Sequence, residues 1–139
     1  VTIVNYFIAK RPENLTQYPQ IRAKHWSYML VAKYLLSWIV FLFAYELLFR
    51  GFFLTVLIDE VGVVAAFVIN TIIYSLAHFN KGKREVIAAI PFGLILCYFT
   101  YITGNIWIAC AVHITQAVSN NVFSLRNHPE MKIIKRTSK

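Results

Sequence analysis

Charged side chains are scarce in this sequence. Aspartate, glutamate, lysine and arginine make up 14% of its 139 residues, whereas 58% are hydrophobic and 16% are aromatic. An average soluble domain carries about 25% charged residues. Two segments have no charge at all, Val61–Ala77 and Val86–Val112, and the second exceeds the roughly 20 residues that a helix needs to cross a bilayer. This composition excludes an ordinary soluble domain and predicts an integral membrane protein in a lipid bilayer.

Cysteine is nearly absent as well. Cys97 and Cys110 both lie within apolar segments, where a cysteine behaves as a small hydrophobic residue. The chain has neither a CxxC nor an HExxH pattern. It therefore gives no indication of a disulfide framework or of zinc-ligand spacing.

Acidic residues are few, six against fourteen basic ones, which gives a net charge of +8. The basic residues lie at the ends of apolar segments rather than along one face, as the positive-inside rule describes. No RNA-binding or zinc-finger motif accompanies them, so nucleic acid is not an expected partner.

Four apolar segments predict four membrane-spanning helices: Trp26–Ile58, Val63–His78, Glu85–Ile102 and Ile106–Phe123. The first would form about 50 Å of helix, too long for one straight crossing. We expect it to tilt, protrude or break, with Gly51 as the candidate break point.

The predicted fold class is all-α, a polytopic transmembrane helix bundle with about four spans. Its parts are a basic interfacial segment (1–25), the bundle (26–124) and a basic cytoplasmic tail (125–139) that we expect to be frayed. The basic loop Lys81–Arg84 and both termini are predicted to be cytoplasmic, in a bacterial plasma membrane. Because the first residue is valine and not methionine, we expect further residues upstream.

Glu46 and Arg50 are the charged residues inside the first apolar segment that most need explanation. Their i,i+4 spacing places them on one helix face in the favourable order. A charge in hydrocarbon costs roughly 2.5–3.5 kcal/mol on insertion scales, so such residues face a bundle interior or a wet cavity. Two interpretations are open: a structural ion pair between helices, or a functional site.

Two histidines accompany the pair: His78 ends the second apolar segment and His113 lies within the fourth. We expect Glu46, His78 and His113 to converge on one cavity, because each isolated polar group in the membrane would need a partner. Asn120 lies seven residues after His113, about 20° away around a helix, and could pair with it. Alternatively, Asn120 is a helix-end residue that meets lipid headgroups.

These residues form motifs: Glu46-x-x-x-Arg50 followed by Gly-Phe-Phe-Leu, Tyr74-x-x-x-His78, and then His113. The pattern resembles the CAAX protease and bacteriocin-processing family of intramembrane proteases. The motifs of that family are Glu-Glu-x-x-x-Arg, Phe-x-x-x-His and His-x-x-x-Asn. The resemblance covers residues 44 to about 121. This sequence departs from it at Tyr45, which replaces the first glutamate, and at Ala117, which replaces the third-motif asparagine.

The resemblance implies an all-helical membrane bundle that hydrolyses a peptide bond of a membrane-associated peptide or protein. A glutamate and the second-motif histidine would activate water, and the third motif would support the oxyanion. No metal and no cofactor is expected. The predicted site residues are catalytic Glu46, Arg50, His78 and His113, with Asn120 and Tyr45 in substrate binding.

Two other functions are open. Tyr45 and Ala117 favour a non-catalytic, immunity-type membrane scaffold that keeps the polar residues for helix packing. Glu46, His78 and His113 could instead be three zinc ligands of a membrane hydrolase. A smaller alternative concerns Glu85, which could cap a helix N-terminus or reach into the site.

Overall fold

The structure is a computed structural model and describes residues 1–134; the last five residues, 135–139, lie outside the described part. The described chain is mostly helical. In order, its elements are α1 (Thr2–Ile8), α2 (Pro12–Leu15), β1 (His25–Ser27), α3 (Tyr28–Glu46), a π-helical segment (Leu47–Phe53), α4 (Leu54–Val61), α5 (Val63–Leu76), a 3-10 turn (Phe79–Lys81), α6 (Lys83–Thr103), α7 (Trp107–Asn127) and β2 (Lys132–Ile134).

Long helical stretches occupy all four predicted apolar segments. The first one runs without interruption from Tyr28 to Val61. The helix does not break at the candidate point, Gly51, but widens there into the π-helical segment, which contains this glycine. Such π turns absorb an extra residue within a helix and are frequent at functional sites.

Two of these stretches, Tyr28–Val61 and α6, are long and apolar enough to cross a membrane. In each, only 28% of the apolar 18-residue stretch is buried, whereas the core helix of a soluble protein is mostly buried. Large apolar side chains project outward along them, among them Leu36, Val40, Leu48, Phe52, Ile87 and Tyr98. α5 is apolar but shorter, and the second half of α7 carries several amide and hydroxyl groups. The chain is a helical membrane protein, and the number of four spans stays a prediction.

The chain divides into two compact units. The second unit, Leu42–Val112, holds the end of α3, the π-helical segment, α4, α5, α6 and the start of α7. Its core has two apolar clusters. One is built on Phe49, Tyr74, Ala89, Leu96 and Ala109, and the other on Leu54, Ala66 and Cys97.

The first unit joins Val1–Phe41 with His113–Lys139. Within it, the buried Asn5 of α1 donates from Nδ2 to the Gln116 carbonyl and to Ser119 Oγ, both at 2.7 Å. β1 pairs in parallel with β2, with Trp26 opposite Ile133. The expectation of a frayed tail is thus wrong as far as Ile134, because that segment adds a strand; its residues 135–139 lie outside the described part. This small sheet is also the one departure from an all-helical fold in residues 1–134.

Candidate active site

A fully buried ion pair lies where α3 passes into the π-helical segment. The side chains of Glu46 and Arg50 are both 0% exposed. Arg50 Nη1 donates to Glu46 Oε1 at 3.4 Å, and Arg50 Nε lies 3.4 Å from Glu46 Oε2. The guanidinium therefore faces both carboxylate oxygens, the arrangement that holds a carboxylate in a defined orientation.

Two further groups hold the guanidinium. Arg50 Nη2 donates to the Gly93 carbonyl of α6 at 3.4 Å. Arg50 Cζ lies 4.1 Å from the ring centre of Tyr74 on α5, a cation–π contact. A Cβ at Gly93 would lie only 2.9 Å from Tyr74 Cδ1. Glycine is therefore needed at position 93 for α6 to approach the tyrosine this closely.

Tyr74 connects this pair to His78, one helical turn further along. Their ring centres are 4.7 Å apart, and His78 Nδ1 lies 2.8 Å from the Tyr74 carbonyl oxygen. Because a carbonyl oxygen can only accept, Nδ1 is the donor of this hydrogen bond. His78 is half-buried just beyond the end of α5.

Tyr45, at the position of the first family glutamate, belongs to an aromatic cluster. Its ring stacks on Phe49 at 4.4 Å between centres and meets Tyr74 edge-on at 5.8 Å. The His78 ring is 6.4 Å away. Position 45 thus contributes packing next to His78, whereas the family motif has its first glutamate at this position.

His113 and Asn120 belong to the first unit. Both are buried on α7, at 6% and 7% exposure. The structure thus brings Glu46, Arg50, Tyr45 and His78 together through Tyr74 within one unit. The convergence of His113 with that group stays a prediction.

A model of the type II CAAX prenyl endopeptidase Rce1-like family matches residues 26–119, well over half of the chain. The chain belongs to this family. The resemblance inferred from the motifs is thereby confirmed, and the chain is a member of a family of membrane endopeptidases, which are hydrolases. No curated protein and no solved structure matches it.

The matched range contains four of the predicted site residues that carry charge or an imidazole: Glu46, Arg50, His78 and His113. Asn120 lies one residue beyond its end. The range that matches the family therefore includes the residues whose motifs suggested this family.

Glu85 lies in the first turn of α6, where a negative charge favours the helix N-terminus. The N-cap residue itself is Gly82. Burial lowers the pKa of the nearby Lys81 in the preceding turn, and the Glu85 carboxylate opposes that change. Both observations associate Glu85 with the Lys81 loop and the helix terminus.

In residues 1–134, no group of three histidine, cysteine, aspartate or glutamate side chains has an arrangement that could hold a metal ion. That part of the chain therefore offers no set of ligands for the zinc hypothesis.

Sequence reasoning missed the residues that support the ion pair. Neither the close approach of Gly93 to Tyr74 nor the contact of Tyr74 with Arg50 has a signal in the sequence. Asn70 was not singled out, although it lies four residues before Tyr74 and eight before His78 in an otherwise apolar helix. That spacing of four was the available signal, because such residues share one helix face.

Proposed function

We propose that this protein is a glutamate-type intramembrane endopeptidase. The observation that carries the proposal is the fully buried Glu46, held by Arg50 inside the part of the chain that matches the family. A buried carboxylate is costly unless it is paired, and the Arg50 guanidinium offsets part of that cost. The same contact holds the carboxylate in a defined orientation, as a general base requires.

In the proposed reaction, Glu46 and His78 act together on a water molecule. The carboxylate takes a proton from the water while the oxygen of that water attacks the scissile carbonyl carbon. Collapse of the tetrahedral intermediate then breaks the C–N bond, and the proton passes to the leaving amine. Arg50 positions Glu46 throughout and takes no proton.

His113, with Asn120, is proposed to stabilise the negative oxygen of the tetrahedral intermediate. The support is the family resemblance of the motif containing His113, together with the burial of both side chains on α7. Loss of one such donor in hydrolases costs about 2.7–4 kcal/mol of transition-state stabilisation.

The proposed substrate is a peptide or protein held at the membrane. The family name specifies prenylated CAAX sequences, so a C-terminal peptide with a prenylated cysteine is the first substrate to test. The matching unmodified peptide tests whether the lipid is required.

The deciding experiment uses purified protein in detergent with these peptides and follows cleavage by mass spectrometry. Glu46→Gln keeps the side-chain shape and removes the charge, so we expect it to abolish turnover of a peptide that the parent cuts. Glu60→Gln is the matched control, because Glu60 is an exposed carboxylate at the end of α4. Parallel reactions with a chelator test the zinc alternative. Cleavage by Glu46→Gln at the parent rate would refute the assignment of the base.

One observation favours a non-catalytic scaffold as second candidate. Tyr45 replaces a family carboxylate with a ring that stacks on Phe49 and Tyr74, which strengthens packing and removes a proton acceptor. If the parent cuts no peptide and Glu46→Gln only lowers the melting temperature, the scaffold is the better description.

A further inference from the structure

In the π-helical segment, one backbone carbonyl accepts two hydrogen bonds. The Phe49 carbonyl oxygen accepts from the Leu54 N–H, five residues on, as a π turn requires. It also accepts a second hydrogen bond, from Asn70 Nδ2 of α5 at 2.8 Å. A carbonyl has two lone pairs, and the wider turn gives the amide access to the second one. The Asn70 contact thus favours the π geometry over the α geometry.

The orientation of this amide is fixed by a second neighbour. Cys97 Sγ of α6 lies 3.3 Å from Asn70 Oδ1 and donates to it. The oxygen therefore faces α6 and the NH2 group faces Phe49. Both Asn70 and Cys97 are 0% exposed, so water does not compete for these hydrogen bonds.

Asn70 lies on the face of α5 that also presents Tyr74, four residues further on, and His78 follows just beyond the end of the helix. Tyr74 lies against the guanidinium of Arg50, and Asn70 holds the backbone one residue before that arginine. One face of α5 thus fixes both the side chain of Arg50 and the main chain that carries it. The angle at which Arg50 meets Glu46 depends on that main chain.

We propose that Asn70 is a positioning residue for the Glu46–Arg50 pair, acting through the Phe49 carbonyl and oriented by Cys97. The inference rests on the proposed function for its catalytic consequence. Without the amide donor, the π turn loses a contact that distinguishes it from an α-helix, and Arg50 shifts relative to Glu46. The carboxylate then loses its defined orientation.

The test compares Asn70→Leu with Ser75→Ala. Ser75 is also buried on α5, and its Oγ has no hydrogen-bond partner in the described part of the chain. For Asn70→Leu we expect kcat on the cleaved peptide to fall by about tenfold to a hundredfold, the effect of a small misplacement of a reacting group, with KM nearly unchanged. Ser75→Ala should change neither.

Two cysteine variants keep the inference testable if Asn70→Leu does not fold. Cys97→Ser retains a donor to Asn70 Oδ1 and should keep the parent kcat, whereas Cys97→Ala should lower it. An active parent whose folded Asn70→Leu variant keeps the parent kcat, or equal kcat values for the two Cys97 variants, would overturn the inference and leave the proposed function standing.

An activity-independent measurement separates the two proposals. In a double-mutant cycle of thermal unfolding, Asn70→Leu and Arg50→Met should be non-additive, because both disturb one network. If the parent cuts no peptide, the proposed function fails, and this cycle alone decides the positioning role. Additive melting-temperature shifts would then refute it.

Discussion

Arginine suits position 50 because one side chain must satisfy several different neighbours at once. Its planar guanidinium faces both oxygens of Glu46, donates to the Gly93 carbonyl and lies over the Tyr74 ring. A lysine ammonium is a compact point charge and could not make these contacts in one geometry. In a segment without bulk water, each of them offsets part of the cost of burying the charge.

This pair gives a direct test at the level of single residues. Arg50→Met leaves a buried carboxylate without its counter-charge, so we expect a loss of about 3–5 kcal/mol of stability. The double variant Glu46→Gln with Arg50→Met removes both charges and should recover part of that loss. Thermal unfolding in detergent measures both effects. A single variant as stable as the parent would mean that the pair contributes little to folding.

At the scale of residues, sequence reasoning predicted the pairing of Glu46 with Arg50, but not the groups that support it. Glu46 and Arg50 stand out because charges in apolar segments are rare. Gly93 and Asn70 do not stand out, since a glycine and a lone amide have many ordinary uses in membrane helices. Their roles depend on which side chains of α5 and α6 meet, and no local pattern encodes that.

At the scale of elements, hydropathy located the four long helical stretches, because runs of apolar residues are a strong signal. The π-helical segment was not predictable, since the residues Leu47–Phe53 have no unusual composition apart from Gly51 and Arg50. A donor from another helix stabilises it. The strand β2 was missed for a similar reason: three residues of a basic tail become a strand only because β1 lies beside them.

The close approach of α5 and α6 gives a prediction at this scale. Gly93→Ala places a methyl group 2.9 Å from a rigid ring carbon of Tyr74, so we expect the helices to separate and the melting temperature to fall. Overpacking of this kind typically costs about 1–3 kcal/mol. Activity should fall with it, because Tyr74 and the Gly93 carbonyl both contact Arg50.

Gly51→Ala is the matched control for that change. The nearest atom to a Cβ there is the end of the flexible Leu47 side chain, at 3.2 Å, which can move. We expect Gly51→Ala to be close to neutral in thermal unfolding. A Gly93→Ala variant that is equally neutral would contradict the packing argument.

At the scale of the whole molecule, the distribution of polarity indicates how the chain lies in a bilayer. Apolar side chains project outward from Tyr28–Val61 and α6, while Glu46, Arg50 and Asn70 are wholly buried. In lipid the outward side chains need no partner, whereas every polar group must be satisfied inside the protein. Apart from Lys33 and Arg50, the basic residues lie around the start of α6 and near both ends of the chain.

The topology of α6 can be tested directly. Its 21 residues span about 31 Å of helix, the thickness of the hydrocarbon core, so its two ends should lie on opposite sides of the membrane. The basic residues Lys83 and Arg84 predict that its start faces the cytoplasm. In a background in which Cys97 and Cys110 are replaced, we expect a membrane-impermeant maleimide to label Lys83→Cys only from the cytoplasmic side. It should label Asn105→Cys only from the other side. Both positions are exposed, so the reagent can reach them. Labelling of Lys83→Cys from outside alone would reverse the orientation, and labelling of both positions from one side would mean that α6 does not cross the bilayer.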